Sequence, residues 1–176
     1  MAHTYRIYDQ HGQYFITCTV HQWVDVFTRP DYVNILLDSL RYCQQKKGLE
    51  IFAWVVMTNH IHLIVSSKGE GLSDIIRDFK KFTASKIMEA IENNPKESRK
   101  KWIQWPLKKD GGIWFWEEGY HAEEITSQQF YESKLNYIHQ NPVRARIVEK
   151  EEKYLYSSCC DHYGTRKGLL VLSENI

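Results

Sequence analysis

Met57-Thr58-Asn59-His60-Ile61-His62-Leu63-Ile64-Val65 follows directly on Ile51-Phe52-Ala53-Trp54-Val55-Val56. Both runs are rich in β-branched and aromatic residues, and Thr58-Asn59 between them suits a tight turn, so the stretch predicts a β-hairpin. Side chains alternate along a strand. His60 and His62 therefore share one face, and Ile61, Leu63 and Val65 share the other. Two imidazoles aimed the same way beside a turn are a start for a metal site, and two satisfied strand histidines are the plainer alternative. The rest of the chain decides between them.

Upstream, Gln13 to Val20 is β-rich and predicts a first strand, preceded by a loose arm over residues 1–12. Pro30-Asp31 opens a helix, because proline suits the first turn and aspartate the positive end of the helix dipole. Val33, Leu36, Leu37, Leu40 and Tyr42-Cys43 follow helical spacing until Gly48. Downstream, Gly69 and Gly71 break the hairpin and Ser73 is placed to cap a second helix. Its apolar stripe is Ile75, Ile76, Phe79, Phe82, Ile87 and Ala90-Ile91, and Asn93-Asn94-Pro95 ends it.

Residues 95–112 read as a long, polar, basic connection carrying Trp102 and Trp105. Those two indoles either stack on nucleic-acid bases or tuck onto the core. Ile113-Trp114-Phe115-Trp116 reads as a fourth strand. A helix capped by Thr126 or Ser127 follows, with Phe130, Tyr131, Leu135 and Ile138 buried, and Pro142 is expected to stop it near Asn141. Leu169 to Leu172 offers a further edge strand. The order is that of an α+β, ferredoxin-like βαββαβ unit with an antiparallel sheet and a C-terminal helix added. Two crossover helices cover one face of such a sheet, and the histidines belong on the other. One domain over residues 1–176 is expected, with its core at about 10–164.

The 176 residues carry a formal net charge of +1, which argues against a global nucleic-acid-attracting field. Charge is uneven, however: Arg77 to Lys109 holds ten Lys or Arg against four Asp or Glu, a local net of +6. A basic patch for phosphates or a solvated helix face both fit that asymmetry. Cys18, Cys43, Cys159 and Cys160 lack zinc-ligand spacing and are read as reduced thiols. With no signal-like or membrane-length apolar run, a cytoplasmic location without membrane contact is the expectation.

The last helix carries Lys134-Leu135-Asn136-Tyr137-Ile138-His139-Gln140-Asn141-Pro142. Tyr137 and Asn141 lie four apart, on one helical face, with Leu135 and Ile138 on another. Laid against the histidine pair, that face would gather two imidazoles, an amide oxygen and a phenol around one cation, a plausible set for Mg²⁺ or Mn²⁺ acting on a phosphodiester.

His60-Ile61-His62 resembles the His-hydrophobic-His (HUH) motif of single-tyrosine transposases. Tyr137-Ile138-His139-Gln140-Asn141-Pro142-Val143 is similar to the tyrosine-helix motif of the REP-associated tyrosine transposases. The likeness extends to Trp54 to His60, Phe115-Trp116 and Tyr154-Leu155-Tyr156-Ser157-Ser158. The resemblance implies that Tyr137 is a nucleophile on hairpin-forming single-stranded DNA, leaving a 5′-phosphotyrosine and a free 3′-hydroxyl. It implies His60 and His62 as ligands of a divalent cation, Mg²⁺ or Mn²⁺, with Asn141 at the position of a third, amide-type ligand. Lys134 is a candidate to activate the phenol, whose ordinary pKa is near 10. Asn141 stands where a longer Gln arm occurs, and Glu117 stands where many relatives carry Gln. For DNA binding the sequence nominates Arg77, Lys80, Lys81, Trp102, Trp105, Lys134 and Arg144, and a homodimer is an open option. A catalytically silent DNA-binding derivative and a phosphodiesterase using water are the rival readings.

Overall fold

The computed structural model describes residues 6–174. Strand β1 (Tyr14–Thr19) is followed by helix α1 (Pro30–Lys47), the hairpin β2 (Leu49–Val56) and β3 (His60–Ser67), and helix α2 (Leu72–Asn93). Next come helix α3 (Lys100–Leu107), a two-residue hairpin of β4 (Lys108–Lys109) and β5 (Gly112–Ile113), and strand β6 (His121–Glu124). Helices α4 (Gln128–Arg144) and α5 (Cys159–Tyr163) close the chain. The four-stranded sheet has the order β2-β3-β1-β6 with every neighbouring pair antiparallel. This is the ferredoxin-like arrangement the hairpin reading anticipates.

The register explains the two faces. Thr17 stands opposite His62 and Thr19 opposite His60, while Ile16 faces Leu63 and Cys18 faces Ile61. Tyr14, Ile16, Cys18, Ile61, Leu63 and Val65 pack with the inward stripes of α1 and α2 in the main core. Burying each such Leu or Ile contributes about 2 kcal/mol. The opposite face carries a smaller apolar cluster in which Tyr131, Leu135 and Ile138 of α4 cover Phe15, Ala53, Val55, Met57 and Ile64. The histidines therefore lie on the α4 face, away from the crossover helices.

Helix ends follow local chemistry. Gly48 ends α1 in the left-handed conformation at φ 80°, where a side chain would be strained. At α4 the Phe130 N–H donates to Ser127 Oγ at 3.1 Å, the expected cap. Ser127→Ala should lower thermal stability by about 1 kcal/mol and fray the first turn of the tyrosine helix, as melting curves and amide exchange would show. Ser73, in contrast, does not cap α2. Gly71 holds the cap position, and Ser73 accepts from Gln10 Nε2 at 3.0 Å while its own N–H donates to Gln10 Oε1.

Several expectations are corrected. The fourth strand of the main sheet is β6 (His121–Glu124), not Ile113 to Trp116, of which only Ile113 lies in a strand, the two-residue β5. Phe115 and Trp116 are core side chains reached through a single bridge between Val20 and Trp116; their hydrophobicity reflects burial rather than strand pairing. The connection over 95–112 is not structureless, because it contains α3 and the β4–β5 hairpin. Pro142 does not stop α4, which continues to Arg144. Proline there removes one backbone donor, and Pro142 is itself buried. Leu169 to Leu172 forms no strand. That segment packs by Leu170 and is held by Arg41 and Gln44, which donate to the carbonyls of Leu169 and Val171. Phe82 and Tyr42, assigned to buried stripes, are 52% and 55% exposed. Of the expected loose arm, residues 1–5 lie outside the described residues, while Ile7 is buried and Gln10 is bonded to α2.

The segment Tyr154 to Ser158 covers the outer edge of β2, which would otherwise leave unpaired backbone groups exposed. Ser158 N–H donates to the Trp54 carbonyl at 2.9 Å, Trp54 N–H donates to Ser158 Oγ at 2.9 Å, and Tyr154 donates its hydroxyl to the Val56 carbonyl at 2.7 Å. All four cysteines are free and buried.

Candidate active site

A cleft of about 480 Å³ opens between β1, β3, β6 and α4. Its floor is Phe15, Thr17, His60 and His62, and α4 contributes Lys134, Tyr137, Asn141 and Arg144. The spacing of those four α4 residues, 134, 137, 141 and 144, is one stripe of a 3.6-residue helix lying beside the apolar stripe that packs α4 onto the sheet. The sheet register thus aims the histidines up, and the helix aims the phenol down.

The two imidazole centroids are 4.7 Å apart. The Tyr137 ring stands edge-on to His62 at 5.2 Å and to Phe15 at 5.9 Å. Tyr137 is 42% exposed, and no described residue hydrogen-bonds its hydroxyl. Arg144 lies over the Tyr137 ring at 4.5 Å and donates to the Tyr137 backbone carbonyl at 2.9 Å. That places a guanidinium beside the phenol at the mouth of the cleft.

Both histidines are held by Nδ1. In His62 it lies 2.7 Å from Thr17 Oγ1, and in His60 it lies 2.7 Å from Asn59 Oδ1. Donation from Nδ1–H to these oxygens leaves each Nε2 with a bare lone pair, the state a metal ligand needs. His62 Nε2 is buried and has no hydrogen-bond partner, a costly arrangement for a polar atom unless something else satisfies it. Burial lowers the pKa of both rings. His62 falls to about 3 through burial first, then through His60, Arg144, Lys134 and His121. The His62 imidazole is therefore neutral across the physiological range. Among the described residues no group of three His, Cys, Asp or Glu side chains could hold a metal ion. A cation here would take two imidazoles and rely on the Asn141 amide, which lines the same cleft. The residues present fit that role.

Lys134 is bonded to Glu123 at 2.9 Å and lies over the Phe15 ring at 4.4 Å. Glu123 also meets His121 Nε2 at 2.6 Å. Burial would raise the Glu123 pKa, but Lys134 and His121 outweigh it and lower it. Lys134 is thus anchored at one wall of the cleft.

The other nominated DNA contacts divide sharply. Arg144 and Lys134 line the cleft. Arg77, Lys80 and Lys81 sit on α2, on the far side of the sheet. Arg77 is ion-paired to Asp74 and Asp78, and Lys80 is partly buried and donates to the carbonyls of Glu117 and Gly119. Trp102 and Trp105 are 60% and 83% exposed on α3, which rules out the core-packing alternative for them. His139, two residues from the tyrosine, is buried against Ser158 Oγ at 3.1 Å. Burial first, then His162, lowers its pKa to about 4; it is a packing residue. Sequence reasoning passed over Trp23, Thr17 and Asn59. The strand pairing of Thr17 and the turn position of Asn59 were within reach of the alternation argument, whereas nothing in the sequence marks Trp23.

Residues 10–141 match the model of the IS200-like transposase family. The chain belongs to the IS200-like transposase family. Its role is accordingly that of a DNA transposase, an enzyme acting on DNA. No curated protein matches the chain. Among solved structures, a REP-associated tyrosine transposase bound to a REP hairpin aligns with a TM-score of 0.70 at 18% identity, over 99% of this chain and 93% of that one. The fold is therefore shared along nearly the whole length. A proposed transposase from Deinococcus radiodurans R1 aligns with a TM-score of 0.48 at 20% identity, over 72% of this chain and 87% of that one. No helix among the described residues is long and apolar enough to cross a membrane.

Proposed function

We propose that this transposase cleaves and rejoins hairpin-forming single-stranded DNA through a 5′-phosphotyrosine at Tyr137. The observation that carries the reading is the meeting, in one open cleft, of the Tyr137 phenol with His62, whose buried Nε2 has no partner. The Tyr137 oxygen attacks phosphorus, the P–O3′ bond breaks, and the departing O3′ takes up a proton while the phenol gives one up. Rejoining is the reverse attack by a 3′-hydroxyl. The phosphodiester energy is kept in the protein–DNA bond, so no nucleotide cofactor is needed.

His60, His62 and Asn141 would hold the divalent cation, Mg²⁺ or Mn²⁺, which when bound supplies Lewis-acid stabilisation of the phosphoryl oxygens. Thr17 and Asn59 keep the two Nε2 atoms bare and pointed. Arg144, over the phenol ring, is in place to meet a phosphate oxygen. Lys134, engaged by Glu123, positions the edge of the site. The REP-associated subgroup, and a hairpin as the DNA structure recognised, are supported by the tyrosine-helix motif and by the shared fold.

The test is incubation of the protein with a labelled single-stranded hairpin carrying unpaired flanks. An SDS-resistant protein–DNA adduct should form with Mg²⁺ or Mn²⁺ and be absent with EDTA. Cleavage without an adduct would overturn the proposal in favour of hydrolysis by water, and binding without cleavage would mark a silent derivative.

A further inference from the structure

After β1 the chain makes a tight turn over His21–Trp23, and two of its residues occupy the left-handed region: Gln22 at φ 53° and Trp23 at φ 57°. A bulky aromatic rarely sits there, and such strain persists only where surroundings enforce it, typically at functional sites. The enforcement is visible. Trp23 N–H donates to the Val20 carbonyl at 2.9 Å, and Asn59 Nδ2 donates to the Trp23 carbonyl at 3.3 Å. Glu117 Oε1 accepts from the Gln22 N–H at 2.8 Å and lies 3.1 Å from His21 Nδ1. Four contacts, made by Val20, Asn59 and Glu117, hold one turn, and the side chain it presents is 62% exposed.

That indole does not serve the core. It stands edge-on to His60 at 5.9 Å and forms one wall of the Tyr137 cleft. Asn59 ties the two together, since its Oδ1 faces His60 Nδ1 while its Nδ2 holds the Trp23 carbonyl. On the far side of the same turn, Gln22 and Val24 line a second hollow of about 540 Å³ with Lys101, Trp102, Trp105 and Pro106. Trp102 and Trp105 are exposed and Lys101 is exposed beside them. Solvent-facing indoles with interleaved lysine, one turn away from the Tyr137 cleft, match the chemistry of an unpaired nucleic-acid strand: π-faces for bases and cations for the backbone.

We infer that Trp23 is a stacking platform for an unpaired base flanking the scissile phosphate, and that the single strand continues over the Gln22–Val24 turn onto Trp102 and Trp105. The inference rests on the proposed DNA-cleaving role of the cleft and names how the strand is held in it. Stacking at Trp23 fixes the register of the strand relative to Tyr137 without reading a particular base, because every base has a π-face. Glu117 becomes a positioning residue, acting on DNA through the turn it secures.

The experiment uses the full chain carrying Tyr137→Phe, so that binding is read without cleavage, and a hairpin with unpaired flanks bearing 2-aminopurine at successive positions. Emission should be quenched at an unpaired position by the parent and restored by Trp23→Ala, with roughly tenfold weaker binding, within the range for loss of one base–aromatic stack. An abasic site at that position should weaken the parent by the same factor and leave Trp23→Ala unaffected. Trp23→Phe should retain most of the quenching. Trp102→Ala and Trp105→Ala should relieve quenching farther along the same flank. Trp23→Gly, which suits a positive φ, should melt no lower than the parent while binding as weakly as Trp23→Ala, which separates a stacking role from a folding one. Unchanged emission and affinity in Trp23→Ala at every unpaired position would overturn the inference. The adduct assay on the chain with Tyr137 intact reads the other proposal separately: stacking without an adduct supports the track while sinking the phosphotyrosine chemistry, and an adduct with a flat stacking series does the reverse.

Discussion

Tyr137→Phe is expected to abolish covalent adduct formation and strand cleavage, a loss of roughly 10³-fold or more, while leaving hairpin binding and thermal stability essentially unchanged. The separation follows from what each part of the side chain does. The ring is held by edge contacts to Phe15 and His62 and by Arg144 above it, and phenylalanine keeps all three. The hydroxyl has no hydrogen-bond partner among the described residues, so its removal strands no buried group. A nucleophile differs from every other residue of the cleft in this respect: its deletion removes the reaction and nothing else. Gel detection of the adduct, cleavage kinetics and melting curves check the three parts. Residual cleavage in the variant would assign the chemistry to water, and a fall in stability would mean that the phenol is a packing group.

The sheet was legible in the sequence because period-two alternation is stringent. Once Ile61, Leu63 and Val65 are assigned inward, His60 and His62 have no other direction to point. The same holds for α4, where Leu135 and Ile138 on one stripe leave Tyr137 and Asn141 on the next. Illegible were the places where tertiary packing overrides local preference. His121-Ala122-Glu123-Glu124 has poor strand propensity and is a strand because β1 offers an edge and Ala122 fits the core. Phe115-Trp116 has excellent strand propensity yet makes only an isolated bridge beyond the end of β1, with its rings in the core near Phe27 and Phe79. Lys80 reads as a free cation but is consumed by the carbonyls of Glu117 and Gly119. The positive φ of Trp23 carries no sequence signature at all, since no glycine or asparagine marks it. The histidine face and the tyrosine stripe of the cleft were therefore readable, and its Trp23 wall was not.

Loss of the Glu97 carboxylate should strongly damage stability. Its carboxylate is fully covered, yet five donor groups converge on its two oxygens. Oε2 accepts from Arg29 Nε at 2.7 Å, Tyr32 hydroxyl at 3.1 Å and Arg99 Nη2 at 3.4 Å. Oε1 accepts from the Arg99 backbone N–H at 3.1 Å and Arg99 Nε at 3.2 Å. These bonds lock the start of α1 to the connection between α2 and α3, so the placement of Trp102 and Trp105 depends on them. Burial alone would raise the Glu97 pKa; the Arg99 side chain and N–H, then Arg29 and Tyr32, more than reverse this and bring it down to about 2. In the unfolded chain the group titrates near an ordinary glutamate value of about 4.3. The folded value is the lower one, so the stabilisation is complete above the unfolded pKa and is lost as pH falls from about 5 towards 2. Its size is on the order of 3 kcal/mol, at about 1.4 kcal/mol per unit. Glu97→Gln puts an NH₂ group among donors and leaves two guanidinium groups without their carboxylate, and should cost a similar amount at pH 7. Denaturation measured at pH 7, 5 and 3 decides the matter. The gap between parent and variant should be widest at pH 7 and shrink by pH 3, because the unfolded parent takes up a proton there and the advantage of the folded carboxylate falls. A constant gap across that range would show that Glu97 acts through shape rather than charge.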